Sequence, residues 1–188
     1  MQTKIVIDQN IELRKVDEKF ANEKYHAALA SRDHLLPWLN WIYFYESCET
    51  TADGIKKMQD FQKSQINKFD KNTNYTYDIF YDNNFAGSIE LMNISNENHY
   101  LEIGYWLAKD FTKKGIMSKA VNALTEIAFK KLGMHCVTIL AADKNIASCS
   151  VAKRCGFTLE ATLKDRIFLE GKYYNRCVFS KINPNTAP

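Results

Sequence analysis

The run GIMSKAVNALTEIAFKKLG, residues 115–133, constrains the fold more than any other segment. Ile116, Ala120, Val121, Leu124, Ile127 and Ala128 recur at helical spacing and line one face. Gly133 stands where a helix C-terminus favours glycine, which enters left-handed geometry without a Cβ penalty. On one side lies YLEIGYWLAKD, residues 100–110, which alternates like a strand. On the other lies CVTILAAD, residues 136–143, a short apolar strand expected to be buried on both faces. A helix that connects two such strands makes them parallel neighbours, and its apolar stripe has to be buried on the sheet.

The remaining segments extend that sheet. IELRKV (residues 11–16) reads as a strand, and Asp17 offers an N-cap to a helix over 18–31 with Phe20, Ala27, Ala28 and Ala30 available for packing. The aromatic segment 34–47 is broken by Pro37 and reads as irregular or short-helical. Thr51 opens a helix on which Ile55, Met58, Ile66 and Phe69 recur at helical spacing. Strands are expected at 75–82 and 85–94, joined by a tight turn at Asn83-Asn84. NENHY then turns into the strand from residue 100. A short helix over 147–155 stops at Gly156, and strands at 157–169 and 172–182 flank a hairpin turn at Glu170-Gly171. The order β-α-α-β-β-β-α-β-α-β-β predicts an α/β (α+β) fold: a mixed, mostly antiparallel sheet of about seven strands with helices on both faces. No repeat or Pro/Gly linker interrupts it, so one domain is expected over residues 1–182, with a frayed polar tail at 183–188.

Several function classes are disfavoured. A net charge of +3 is too weak to make nucleic acid the main ligand. Four scattered histidines show no ligand spacing toward each other or toward the five cysteines, so no metal site is expected. The cysteine count is odd and the N-terminal run lacks a signal-peptide core, which predicts reduced thiols in a cytoplasmic protein. No run approaches the ~20 apolar residues of a membrane span.

Gly115 falls at a strand-to-helix junction, behind Lys113 and Lys114. The first N–H groups of a helix have no partner inside it and sit at the positive end of its dipole, so a phosphate fits there. A turn glycine between solvated lysines is the alternative. The segment is neither a P-loop nor a Rossmann fingerprint.

The wider context LEIGYWLAKDFTKKGIMSKAVNALTEIAF, followed by NIASCSVAKRCGFTLEATLKD, resembles the GNAT superfamily of acyl-CoA-dependent N-acetyltransferases. Within it, the chain is most similar to the bacterial ribosomal-protein N-terminal acetyltransferases that act on alanine or serine. The resemblance covers residues 11–182, and the second block is the more diagnostic. The family's cofactor motif is Arg or Gln, two residues, Gly, any residue, then Gly or Ala. Here it reads Thr112, Lys113, Lys114, Gly115, Ile116, Met117, and only the central glycine matches strictly. The resemblance implies acetyl-CoA as cofactor. It implies that backbone groups of Leu107, Ala108 and Lys109 pair with pantetheine and that amides of Lys113, Lys114, Gly115, Ile116, Met117 and Ser118 hold the pyrophosphate. It also places Asn145 on the pantetheine arm and Ser148 near the thioester sulfur, although both residue types also cap helices.

Acetyl transfer needs a deprotonated amine, a stabilised carbonyl oxygen and a departing thiolate. Glu102 is the leading candidate base, with Glu90 a weaker one and a structural ion pair the alternative reading. Alternation puts Glu102 on one strand face with Tyr100, Gly104 and Trp106, unless a bulge resets the parity. A hydrogen bond from Ser148 would help the thiolate leave. Glu160 matches a family position and reads as structural, and Cys149 and Cys155 read as small buried residues. Trp38 and Trp41 are candidates for the acceptor entrance. The acceptor is expected to be a protein N-terminus, with a small amine held by carboxylates such as Glu46 and Glu49 as the rival. A silent acyl-CoA-binding module is a further alternative, and a homodimer through an edge near the last hairpin is plausible.

Overall fold

The computed structural model describes residues 1–186. Among them, eight strands form one sheet in the order β1-β2-β3-β4-β5-β6-β8-β7. These are β1 (Lys4–Val6), β2 (Ile11–Lys15), β3 (Tyr75–Tyr81), β4 (Asn84–Ser95), β5 (Tyr100–Leu107), β6 (Cys136–Ala142), β7 (Thr158–Leu169) and β8 (Lys172–Ile182). The helices are α1 (Ala21–Ala30), α2 (Arg32–Leu35), α3 (Trp41–Glu46), α4 (Thr51–Asp70), α5 (Ile116–Lys130) and α6 (Ile146–Arg154). The sheet is mixed and mostly antiparallel, as expected, with one strand more than expected. That strand, β1, has three residues, too short to show a period, and exists by pairing Lys4 with Arg14 and Val6 with Glu12 on β2.

The chain forms two compact units, and neither is contiguous in sequence. The first takes Met1–Glu90 and Tyr105–Ile116; the second takes Leu91–Gly104 and the described residues from Met117 onward.

In the first unit, β2 pairs antiparallel with β3 from Ile11↔Tyr81 to Lys15↔Tyr77. Leu13, Tyr77 and Ile79 are fully buried. The aromatic segment folds into α2 and α3. Leu35, Leu36 and Ile42 pack with Phe80, Phe85 and Trp106, and Trp41 lies edge-on to Trp106 at 5.7 Å between centroids. Asp17 caps the opening 3-10 turn by accepting from the Lys19 N–H. The face that α1 buries is Ala21, Lys24, Tyr25 and Ala28; of the residues expected to pack, Ala28 is in the core, Phe20 and Ala27 pack against it half-buried, and Ala30 is exposed. Lys24 tolerates burial because its ammonium meets Asp78 Oδ1 at 2.8 Å, an atom that also accepts from Ser88 Oγ at 2.8 Å. The turn between β3 and β4 falls one residue earlier than expected, with Asp82 and Asn83 left-handed at φ +48° and +62°.

In the second unit, α5 joins β5 to β6, and the two strands are parallel, as the crossover requires. Ala120, Val121, Leu124 and Ala128 are fully buried on α5, which matches the expected stripe. Strand β6 is covered on both faces and pairs with β8 over its whole length, Cys136↔Ile182 to Ala142↔Arg176. Strand β7 is the outer strand and is exposed along most of its length, with Leu159, Leu163 and Phe168 in solvent. The tail expected to fray is anchored at its first residue. Asn183 is buried, donating from its amide to the Met134 carbonyl and from its backbone to the His135 carbonyl. Residues 187–188 of that tail lie outside the described residues.

Candidate functional site

In the first unit, the segment after β5 is a tightly bonded loop. Ala108 N–H donates to the Ala86 carbonyl at 2.8 Å, and Lys109 N–H donates to Ser31 Oγ at 3.0 Å. Of the backbone groups expected to pair with pantetheine, the N–H groups of Ala108 and Lys109 are therefore already occupied. The Ala108 carbonyl accepts from the Phe111 N–H and keeps a second lone pair for a further donor, whereas the Lys109 carbonyl accepts from both the N–H and the hydroxyl of Thr112. The strand in front of this loop runs unusually close to β4. A Cβ placed on Gly87 would fall 2.3 Å from the Trp106 carbonyl oxygen and 2.9 Å from the Leu107 Cα, so only glycine permits the approach.

Beyond it, Lys113 and Gly115 are both left-handed, at φ +62° and +75°. A Cβ on Gly115 would meet nothing within 4 Å. The glycine is thus demanded by its backbone angle, and the space above it is open to a ligand. Lys114 is held in place, its ammonium 5.3 Å from the Tyr81 ring centre and 5.2 Å from that of Phe111. Gly115 leads into α5 at Ile116, where the opening N–H groups have no partner within the helix. Ile116 and Met117 are buried, so their contribution to any ligand is through the backbone.

Of the acceptor-side candidates, Trp41 is a packing residue, edge-on to Tyr45 and Trp106, while Trp38 is half-buried beside Pro37. Glu90 accepts from the Asn74 amide at 2.6 Å. Glu46 is paired with Arg32, which engages one of the two carboxylates considered for a small cationic acceptor. His34, half-buried, is held below the usual imidazole range by burial and then by the charge of Lys109.

In the second unit, β5 and β6 pair over Tyr100↔Cys136, Leu101↔Val137 and Glu102↔Thr138, and both strands run on beyond that register. Glu102 is the last paired residue of β5 on this side. Its Oε1 accepts from the Tyr100 phenol at 2.6 Å. Burial, with Glu102 next to it, pushes the Tyr100 phenol above its ordinary range, so it is a donor at neutral pH. A carboxylate has about four lone-pair sites, and Tyr100 takes one of them. Buried positions on β5 change parity between Ile103 and Trp106, so strict alternation does not extend from Glu102 to the strand end.

Asn145 is the N-cap of α6, its Oδ1 accepting from the Ser148 N–H at 3.1 Å. The capping reading of Asn145 is therefore realised, and its amide nitrogen is the part left to consider for a ligand. Ser148 is the third residue of α6 and half-buried. Ser118 Oγ in the first turn of α5 accepts from Arg154 Nε at 3.4 Å. This exposed arginine, like Tyr100 and Ser31, was not singled out from the sequence. Its only signal was a basic pair in the last turn of α6, where such residues ordinarily complement the helix dipole.

All five cysteines are free. Cys149 is buried and donates to the Ala142 carbonyl at 3.6 Å. Burial first, then the adjacent Cys177, pushes the Cys149 thiol up, and burial pushes up Cys155, which disfavours either as a nucleophile. Among the described residues, no group of three or more His, Cys, Asp or Glu could hold a metal ion, and no helix is long and apolar enough to cross a membrane.

These features agree with what the chain is similar to. It is 28% identical over 182 residues to the ribosomal-protein-serine acetyltransferase of Escherichia coli K12, covering 97% of this chain and 98% of that one. Among solved structures it matches RimL, a ribosomal L7/L12 alpha-N-protein acetyltransferase in complex with coenzyme A. The TM-score there is 0.87 at 27% identity, over 95% of this chain and 97% of that one. It also matches MccE, the microcin C7 self-immunity acetyltransferase in complex with acetyl-CoA and AMP, with TM-score 0.88 at 26% identity over 97% and 98% of the two chains. The acetyltransferase (GNAT) domain profile matches residues 10–158, most of the chain, and this protein therefore belongs to the GNAT acetyltransferase family.

Proposed function

We propose that this N-acetyltransferase moves an acetyl group from acetyl-CoA to the N-terminal α-amine of a ribosomal protein, by direct attack while both substrates are bound. The observation that carries the reading is the left-handed Gly115 with open space above it at the head of α5. Those features suit a pyrophosphate: free helix-end amides, no side chain in the way, and Lys113 and Lys114 alongside. Leu107 and Ala108 would hold the pantetheine through the backbone, the Ala108 carbonyl as an acceptor, while the Lys109 carbonyl is already met twice by Thr112. Asn145 would reach the same arm with the amide nitrogen that its cap leaves over, and Ser148 would donate to the sulfur. Acetyl-CoA supplies the activated acyl group.

Glu102 would accept the amine proton, directly or through a water. An N-terminal amine suits a weak base, because its pKa is ~7.7–8.0 against ~10.4 for lysine. Neutralising it at pH 7 costs roughly 1 kcal/mol, and neutralising a lysine costs nearly 5. The likeness to ribosomal-protein acetyltransferases over the whole chain supports the protein acceptor. A small-molecule acceptor is the second reading, favoured by the likeness to MccE and weakened by the pairing of Glu46 with Arg32. The exposed outer strand β7 supports a homodimer.

A screen of alanine- and serine-initiated peptides against polyamines, aminoglycosides and amino acids, followed by CoA release, tests the acceptor. Faster release with a small amine than with every peptide would overturn the protein-acceptor reading. Gly115→Glu tests the phosphate site separately. It places bulk and negative charge against the pyrophosphate and forces a side chain to φ +75°, so calorimetry should show strongly weakened acetyl-CoA binding. Unchanged affinity in a folded variant moves the phosphate elsewhere.

A further inference from the structure

The two peptide planes at the end of β5 are held in different ways, both within the first unit. A trans peptide is planar, and its C=O and N–H point in opposite directions. The Leu107 carbonyl shares its plane with the Ala108 N–H, which donates to the Ala86 carbonyl on β4 at 2.8 Å. That contact continues the sheet and turns the Leu107 carbonyl away from β4. The Ala108 carbonyl shares its plane with the Lys109 N–H, which donates to a side chain, Ser31 Oγ, at 3.0 Å. The plane that carries the Ala108 carbonyl is thus fixed by one serine.

Ser31 is 3% exposed and joins α1 to α2. Its N–H closes α1 on the carbonyls of Ala27 and Ala28, at 3.2 Å each, and its carbonyl accepts from His34 and Leu35 at 3.0 Å each. A serine that opens a helix ordinarily turns its hydroxyl back onto the N–H groups of the first turn, from an extended backbone. Ser31 has φ −99° and ψ 12° and makes no such bond. Its hydroxyl therefore serves Lys109 instead of its own helix. Apolar packing brings the two segments together, since Ala28, Leu35 and Leu36 share one core cluster with Trp106 and Ala108.

We propose that Ser31 is a positioning residue for the cofactor. By holding the Lys109 N–H it fixes the orientation of the Ala108 carbonyl, whose second lone pair then meets an amide N–H of the pantetheine arm. The inference rests on the reading of Leu107 and Ala108 as pantetheine contacts. Ser31 does not touch the cofactor and acts through the shared peptide plane. Without it that plane is free to rotate, and only loops with the carbonyl in place bind the arm. Apparent affinity then falls in proportion to the competent fraction.

The test is calorimetric titration of the intact protein with acetyl-CoA, with ADP followed by its competition against acetyl-CoA. ADP carries the pyrophosphate and lacks the arm, so it reports on the phosphate site alone. Ser31→Ala should weaken acetyl-CoA by ~2–10-fold, the equivalent of one hydrogen bond, and leave ADP unchanged. Ser31→Thr keeps the hydroxyl and Ser31→Asn supplies another side-chain oxygen. They add different atoms at a buried position, and at least one should restore acetyl-CoA affinity. A thermal melt verifies that each variant is folded. Unchanged acetyl-CoA affinity in folded Ser31→Ala refutes the proposal and leaves the pantetheine contacts standing. Equal weakening of acetyl-CoA and ADP, or failure of both replacements to restore affinity, reduces Ser31 to a structural residue. If the natural protein binds acetyl-CoA no more tightly than ADP, the arm makes no contact of consequence, and the pantetheine reading and the role of Ser31 fall together.

Discussion

Glu102→Gln lowers kcat/KM by ~10²–10⁴-fold at neutral pH, the range for loss of one general acid or base. The amide keeps the hydrogen bond to Tyr100 by accepting through its oxygen, so the fold is undisturbed while the proton acceptor is lost. The defect should shrink as the pH rises through ~8, because a growing share of an α-amine of pKa ~7.7–8.0 arrives neutral and needs no base. Ser148→Ala should behave differently. Its loss lies in kcat, leaves acetyl-CoA affinity almost unchanged, and is largely restored by a thioester whose thiol is more acidic. Rate profiles from about pH 6 to 9 with two thioesters, spanning the α-amine pKa, separate the residues. If both variants retain near-normal rates, catalysis is by proximity alone, and Glu102 and Ser148 return to structural roles.

Removing Lys24 should have the largest effect on stability. Asp78 is fully buried, and its Oδ2 has no hydrogen-bond partner, so the charge depends on Lys24 and Ser88 at Oδ1. Lys24→Met leaves that carboxylate buried without a counter-charge, at a cost of ~3–5 kcal/mol. Such a loss is a large part of the ~5–15 kcal/mol that holds an ordinary domain folded. Combining Lys24→Met with Asp78→Leu and Ser88→Ala should recover most of it, because a well-packed apolar replacement of a buried pair is often neutral or better. Urea unfolding of the single and triple variants checks this. A Lys24→Met stability within ~0.5 kcal/mol of the natural protein would mean that water reaches Asp78.

Local signals carried much of the sheet. Leu101 and Ile103 alternate with Tyr100 and Glu102, and β6 is apolar through most of its length, so these strands are recognisable from their side chains alone. The stripe on α5 is equally plain, and its ends are marked by Gly115 and Gly133, both left-handed. The buried face of α1 was hidden because it contains Lys24, and a lysine in a stripe reads as solvent-facing until its partner is known. Strand β1 was missed for want of length. Its three residues form a strand only because β2 offers an edge.

The family and the strand–glycine–helix junction are legible in the chain, because they depend on neighbours a few positions apart. The same holds for the helix cap of Asn145, whose Oδ1 bonds Ser148 within the same turn. Which groups at those positions remain available is a property of the folded molecule. Ser31 occupies the Lys109 N–H across 78 residues of chain, and Glu46 is engaged by Arg32. Gly87 is required by a carbonyl from Trp106 that no local pattern announces. The contacts of Ser180 with Thr138 and Glu160 depend on the register of β6, β8 and β7 and a shift within β7. Register sets which side chains meet across a sheet, and it is fixed by the packing of whole strands, so contacts between residues distant in sequence leave no mark on the local pattern.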